Sequence, residues 1–168
     1  MFQSPGSMKS KIKLIKKEIH YRRRSQLNDN VSASPARILL AEDDPPNRKV
    51  TQLMLRRLGY ETDAVANGLE VLQALEERTY DLILMDIVMP KMDGLAAAEE
   101  IRRRWPASDQ PRIIAYTAYI FTDNGCKSLL KNMDGYLYKP VRREDLRTVI
   151  EGNLRVLDRR RRRAWNWA

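Results

Sequence analysis

Residues 82–94 read Leu82-Ile83-Leu84-Met85-Asp86-Ile87-Val88-Met89-Pro90-Lys91-Met92-Asp93-Gly94. Four successive apolar side chains with no polar alternation predict a strand buried on both faces, the pattern of a parallel sheet covered by helices on either side. The run ends on a carboxylate, Asp86, and the Met89-Pro90 and Gly94 that follow predict a turn and then a helix. In an open α/β sheet the residue just past the carboxyl end of a strand faces the ligand crevice, so Asp86 is placed for chemistry.

Working outward, the same alternation repeats on both sides. Residues 38–41 are a short apolar run, and Pro45-Pro46-Asn47 opens a helix carrying Val50, Leu53, Met54 and Leu58 that Gly59 stops. Residues 62–65 form a second strand, and Asn67-Gly68 leads into a helix with Leu69, Leu72 and Leu75. A third helix runs from Gly94 through Ile101, residues 113–116 supply a fourth strand, and a weaker helix lies around residues 124–130. Residues 136–138 make a fifth strand, and Asp145 starts the last helix. Five strands alternating with five helices predict an α/β fold, a doubly wound parallel sheet joined by right-handed crossovers.

Composition agrees. With 43% apolar residues in 168, the bulk of the chain is neither disordered nor collagen-like, and no apolar run approaches the ~18 residues of a membrane span. A lone cysteine, Cys126, excludes an internal disulfide and fits a reducing, cytoplasmic setting. The formal charge of +9 is unevenly spread. Residues 1–36 hold eight basic against two acidic side chains, residues 152–168 six against one, and residues 37–151 hold 17 against 19. The central domain is therefore mildly acidic between two basic tails.

The tails read simply. Gly6-Ser7-Met8 looks like a cloning scar ahead of a native start, so residues 1–8 are left out of the fold. Ile12, Ile15 and Ile19 among lysines and arginines allow a short basic helix, but a solvated arm and linker over residues 1–36 is the plainer reading. His20, the single histidine, reads as a surface residue, because nothing downstream looks like a kinase catalytic domain. Residues 152–168 read as an extension of the last helix into an arginine-rich tail. Trp165 and Trp167 beside those arginines would permit nonspecific contact with nucleic acid, a weak signal.

The strand ends carry the stronger signal. Glu42, Asp43 and Asp44 follow the first run, Asp86 the third, Thr117 the fourth and Lys139 the fifth, and all would face one crevice. Several carboxylates with one ammonium repel one another unless a cation lies between them, and an all-oxygen set suits magnesium. Asp86 beside a divalent ion and Lys139 is suited to in-line attack on phosphorus, with Thr117 donating a hydrogen bond to the same group.

Ile38-Leu39-Leu40-Ala41-Glu42-Asp43-Asp44, the quoted stretch around Asp86, Ile113-Ile114-Ala115-Tyr116-Thr117-Ala118, and Gly135-Tyr136-Leu137-Tyr138-Lys139-Pro140 together resemble a response-regulator receiver domain, the phosphoacceptor module of two-component signalling. The resemblance covers residues 37–151 and implies a flavodoxin-like sheet of strand order 2-1-3-4-5. It implies that Asp86 accepts a phosphoryl group from a histidine kinase or phosphotransfer protein. It further implies that Asp43, Asp86 and the Val88 carbonyl hold Mg2+, with Glu42 acting through water. Lys139 would pair with phosphoryl oxygens ahead of a cis bond to Pro140, and Thr117 and Tyr136 would be the switch pair. They would alter the surface of the fourth helix, fifth strand and fifth helix for an unknown downstream protein, a homodimer being one possible form. Glu42 replaces a common Asp, as in receivers of hybrid sensor kinases, and Asn132 stands where a Gly usually precedes Met133-Asp134. The sequence leaves open a free-standing regulator or a piece cut from a hybrid kinase, Met8 near the start leaning to the former, and the expectation is a switch without its own effector domain.

Three rivals fit less well. Phosphatases of the haloacid-dehalogenase type resemble one another in a second Asp two residues past the nucleophile, and here that residue is Val88. No Gly-x-Gly-x-x-Gly follows the first strand, which removes dinucleotide binding. No helix-turn-helix follows residue 151, which removes sequence-specific DNA reading. Val88 also cannot orient an attacking water by hydrogen bonding, so slow loss of the phosphoryl group is expected, with Tyr119 the other side chain facing that water.

Overall fold

The computed structural model describes residues 35–118 and 131–165. The N-terminal arm to residue 34, the expected helix at residues 124–130, Tyr119, Cys126 and Trp167 lie outside the described residues. Five parallel strands, β1 (Arg37–Ala41), β2 (Glu61–Val65), β3 (Leu82–Met85), β4 (Arg112–Thr117) and β5 (Gly135–Tyr138), form one sheet in the order β2-β1-β3-β4-β5. Among the described residues four helices cover it: α1 (Pro45–Arg57), α2 (Gly68–Glu77), α3 (Gly94–Arg104) and α4 (Arg143–Trp165). Helix α4 is the last of the expected series; it begins two residues before Asp145 and runs unbroken through Gly152.

Alternation along each strand sorts the helices onto the two faces. Leu39, Ala41, Ile83, Met85 and Ile113 point to α2 and α3, where they meet Val71, Leu72, Leu75, Ala97, Ala98 and Ile101. Ile38, Leu40, Leu82, Leu84, Ile114, Tyr116 and Leu137 point the other way, to Leu55 of α1 and Leu146 and Ile150 of α4. The three inner strands are sealed on both sides; the edge strand β2 buries only Thr62 and β5 only Leu137. That is why the inner runs are apolar throughout and the edges are not.

The starts of α1, α2 and α3 are fixed by side chains. Asp44 Oδ1 accepts from Asn47 N at 2.8 Å ahead of the prolines that open α1, and Asp93 Oδ1 accepts from Ala96 N at 2.8 Å to start α3. Before α2, Asn67 accepts from Glu70 N at 3.1 Å while Glu70 reaches back to Ala66 N at 2.8 Å, a reciprocal cap. Gly59, at φ 90, supplies the left-handed residue that ends α1. Asp44, grouped above with the acidic crevice, is therefore a helix cap.

Gly94 decides how closely α3 approaches the sheet. A Cβ there would lie 2.0 Å from the Asp86 carbonyl oxygen, inside any contact distance, while Gly94 N donates to Ile87 O at 2.9 Å. Only glycine lets the helix start against the peptide of Asp86.

Candidate functional site

Parallel register brings the strand ends level. Ala41 pairs with Met85, Met85 with Ala115 and Thr117 with Tyr138, so Glu42, Asp86 and Lys139 emerge at one edge. Backbone bonds continue the ladder: Asp86 N donates to Ala41 O at 2.9 Å, and Lys139 N to Thr117 O at 2.8 Å. The Lys139-Pro140 peptide is cis.

Glu42, Asp43 and Asp86 offer carboxylate oxygens that all lie within 4.8 Å of one another. Glu42 and Asp86 are buried and Asp43 is exposed, so the group opens to solvent through Asp43. At that separation each like-charged pair repels by ~3 kcal/mol in an effective dielectric of about 20. Among the described residues Lys139 pairs with two of the three: its Nζ makes a short hydrogen bond to Asp86 Oδ2 and lies 2.5 Å from Glu42 Oε2.

Protonation follows from these contacts. Burial pushes the Glu42 carboxyl above the usual range, with Lys139 opposing and the Asp86 charge adding. Burial works against the Lys139 ammonium too, but the hydrogen bonds and charges of Asp86 and Glu42 outweigh it and hold the amine above its ordinary value. The lysine stays charged because the carboxylates are there.

Glu42 Oε2 is sealed from solvent and, apart from its ion pair, has no aligned hydrogen-bond donor among the described residues. A buried, under-satisfied carboxylate oxygen in an all-oxygen cluster fits a hard cation or its bound water, and magnesium is the ion such donors suit. Val88 N donates to Asp86 Oδ1 at 3.3 Å, orienting the carboxylate, while the Val88 side chain is exposed at the mouth. Thr117 is buried at the end of β4. Tyr136 stands apart: its ring is 54% exposed on β5 and lies 5.2 Å from that of Tyr138, outside the cluster.

Three neighbours escape a sequence reading. Arg48 Nη1, from the first turns of α1, donates to Glu42 O at 2.7 Å and braces the acidic loop. Lys139 Nζ also sits over the Tyr116 ring, 4.8 Å from its centroid, and the Tyr116 hydroxyl meets Thr51 Oγ1 at 3.1 Å. An arginine in a helix and a tyrosine in an apolar run carry no local sign of these contacts.

The response regulator receiver domain family matches residues 38–151. A probable histidine kinase 1 of Oryza sativa subsp. indica is 35% identical over 150 residues, covering 71% of this chain and 16% of that protein. Sensor protein GacS of Pseudomonas syringae pv. syringae is 35% identical over 131 residues, covering 76% of this chain and 14% of its own length. The chain thus spans less than a fifth of the length of these curated relatives. Among solved structures, the receiver domain of sensor histidine kinase PA1611 from Pseudomonas aeruginosa PAO1 superposes with a TM-score of 0.65 at 36% identity, over 72% of this chain and 98% of that one. That structure has a magnesium ion in its active-site cleft.

Proposed function

The chain belongs to the response regulator receiver domain family, and from that membership we propose that Asp86 is the phosphoacceptor of a two-component signalling switch. The observation that carries the reading is the cluster of Glu42, Asp43 and Asp86 carboxylates at the strand ends, with Lys139 from the end of β5 paired to Glu42 and Asp86. Asp86 Oδ attacks phosphorus on the phosphohistidine of a histidine kinase or phosphotransfer protein. The new O–P bond forms as the P–N bond breaks, and its electron pair returns to the imidazole. Val88 N–H keeps the attacking carboxylate oriented, and Lys139 moves its contact from the carboxylate to phosphoryl oxygens. Thr117 donates a hydrogen bond to the same oxygens.

Asp43, Asp86 and the Val88 carbonyl, with Glu42 through water, would hold magnesium, which supplies charge neutralisation on the phosphoryl oxygens. The signal leaves as Thr117 turns toward the new group and the exposed Tyr136 swings inward behind it. The surface read out is β5, α4 and the expected helix at residues 124–130, presented to a downstream protein in the cytoplasm. The chain turns over no outside substrate; its only hydrolysis is of its own acyl phosphate. The test is incubation with acetyl phosphate and magnesium followed by peptide mapping. One phosphoryl group on Asp86, absent in Asp86→Ala, is expected, and mass on another residue or none at all ends the reading.

A further inference from the structure

The lysine at this site has a task its own chain cannot perform alone. Four rotatable bonds separate the Lys139 ammonium from the backbone, and it must stay in place while its carboxylate partner becomes an acyl phosphate. Asp86 and Glu42 fix it from one side. On another side lies the Tyr116 ring, its centroid 4.8 Å from Nζ, within the range where an ammonium is attracted to an aromatic face.

The ring is itself held. Tyr116 is buried in β4 one residue before Thr117, and its hydroxyl meets Thr51 Oγ1 of α1 at 3.1 Å in a buried contact. Tyr116 and Lys139 also border an open groove of about 420 Å³ that is lined by Val50, Met54 and Val141. With open volume beside the ring, the hydroxyl pair ties it to α1.

Building on the acceptor role of Asp86, we propose that Tyr116 is a positioning residue for phosphoryl transfer: its ring face, anchored through Thr51, holds the Lys139 ammonium at the acceptor as the carboxylate contact is lost. A leucine at position 116 would fill much of the same apolar space and offer no face to a cation. A phenylalanine would keep the face and lose only the anchor. The two substitutions therefore separate packing from positioning.

The test compares wild type, Tyr116→Phe, Tyr116→Leu and Thr51→Val for the initial rate of phosphorylation by acetyl phosphate with magnesium, per folded molecule, with melting temperature measured alongside. Tyr116→Leu is expected to slow uptake about fivefold, the size of a partly desolvated cation–aromatic contact expressed as a rate. Tyr116→Phe and Thr51→Val should each slow uptake by about twofold, between wild type and the leucine variant, because the face remains and only its anchor is lost. Tyr116→Met, whose flexible chain refills irregular gaps, replaces the leucine variant if that one does not fold. A second readout needs no phosphate: the ring current shifts the Lys139 side-chain NMR signals in wild type and Tyr116→Phe, and the shift disappears in Tyr116→Leu or Tyr116→Met. Equal uptake by all folded variants, or Lys139 signals that ignore the substitution, overturns the positioning role alone. Absence of uptake in wild type overturns the acceptor reading beneath it.

Discussion

The two ends of the sheet each carry a cluster of charges, built from the same kinds of side chain and finished differently. At the carboxyl ends, Glu42 and Asp86 share the Lys139 ammonium, and the Asp43 carboxylate lies beside them open to solvent. At the amino ends, Asp134 pairs with Arg102 at 2.7 Å and Arg112 at 2.6 Å and accepts from Ile113 N at 2.8 Å. Arg102 spends its remaining donors on Asn132 O, Gln110 Oε1 and Pro111 O, while Arg112 takes the Asn153 amide oxygen of α4 at 2.8 Å. The amino-end cluster is saturated and joins α3, β4, β5 and α4; the carboxyl-end cluster has valence left over. Open carboxylate valence beside a shared ammonium, rather than charge alone, marks the end suited to a cation.

The sharpest way to break this contrast is a crossed pair of substitutions. Asp86→Asn should abolish phosphorylation by acetyl phosphate while moving the urea midpoint little, because Lys139 keeps Glu42. Asp134→Ala should cost ~2–4 kcal/mol in urea unfolding, since it strands two partly buried guanidinium groups, and should leave uptake per folded molecule unchanged. A stability loss in the first or a lost activity in the second would erase the distinction between the two ends. Next in size, Gly94→Ala should destabilise by ~3 kcal/mol, an overpacking cost set by the 2.0 Å approach to the Asp86 carbonyl, and should also impair phosphorylation.

Magnesium gives a smaller and reversible effect. At tenfold excess over its dissociation constant it should stabilise the fold by about 1.4 kcal/mol, read as a rise in melting temperature that chelator removes. Asp43→Asn should lose the rise and Asp134→Ala keep it. The finest effect is kinetic: Val88→Asn, which places an amide at the exposed mouth beside Asp86, should shorten the phosphoryl lifetime severalfold without moving melting temperature. An equal or longer lifetime would contradict a role for Val88 in slow loss.

Much of this contrast could be read before any coordinates existed, and the part that could not follows a rule. The inner strands announce themselves through unbroken apolar runs, because parallel strands with helices on both faces have no solvent side to encode. Strand ends then place Glu42, Asp43, Asp86, Thr117 and Lys139 together, since register in a parallel sheet is set by the same burial. Asp44 shows the limit: a third acid in the row looked like part of the crevice and is occupied by Asn47 N. Arg102, Asp134 and Arg112 are separated by 32 and 22 positions where they meet, and nothing local distinguishes them from surface charges. Tyr116 escaped for the converse reason; inside an apolar run an aromatic ring reads as core, and it is core, with a hydroxyl and a ring face engaged in addition.

Bare hydrogen at position 94 has a mechanical meaning. The first turn of α3 rests on the peptide behind the acceptor as on an anvil, with no slack between them. On that side the peptide of Asp86 has no room to retreat, so whatever meets the carboxylate from the crevice meets a backbone already backed by a helix.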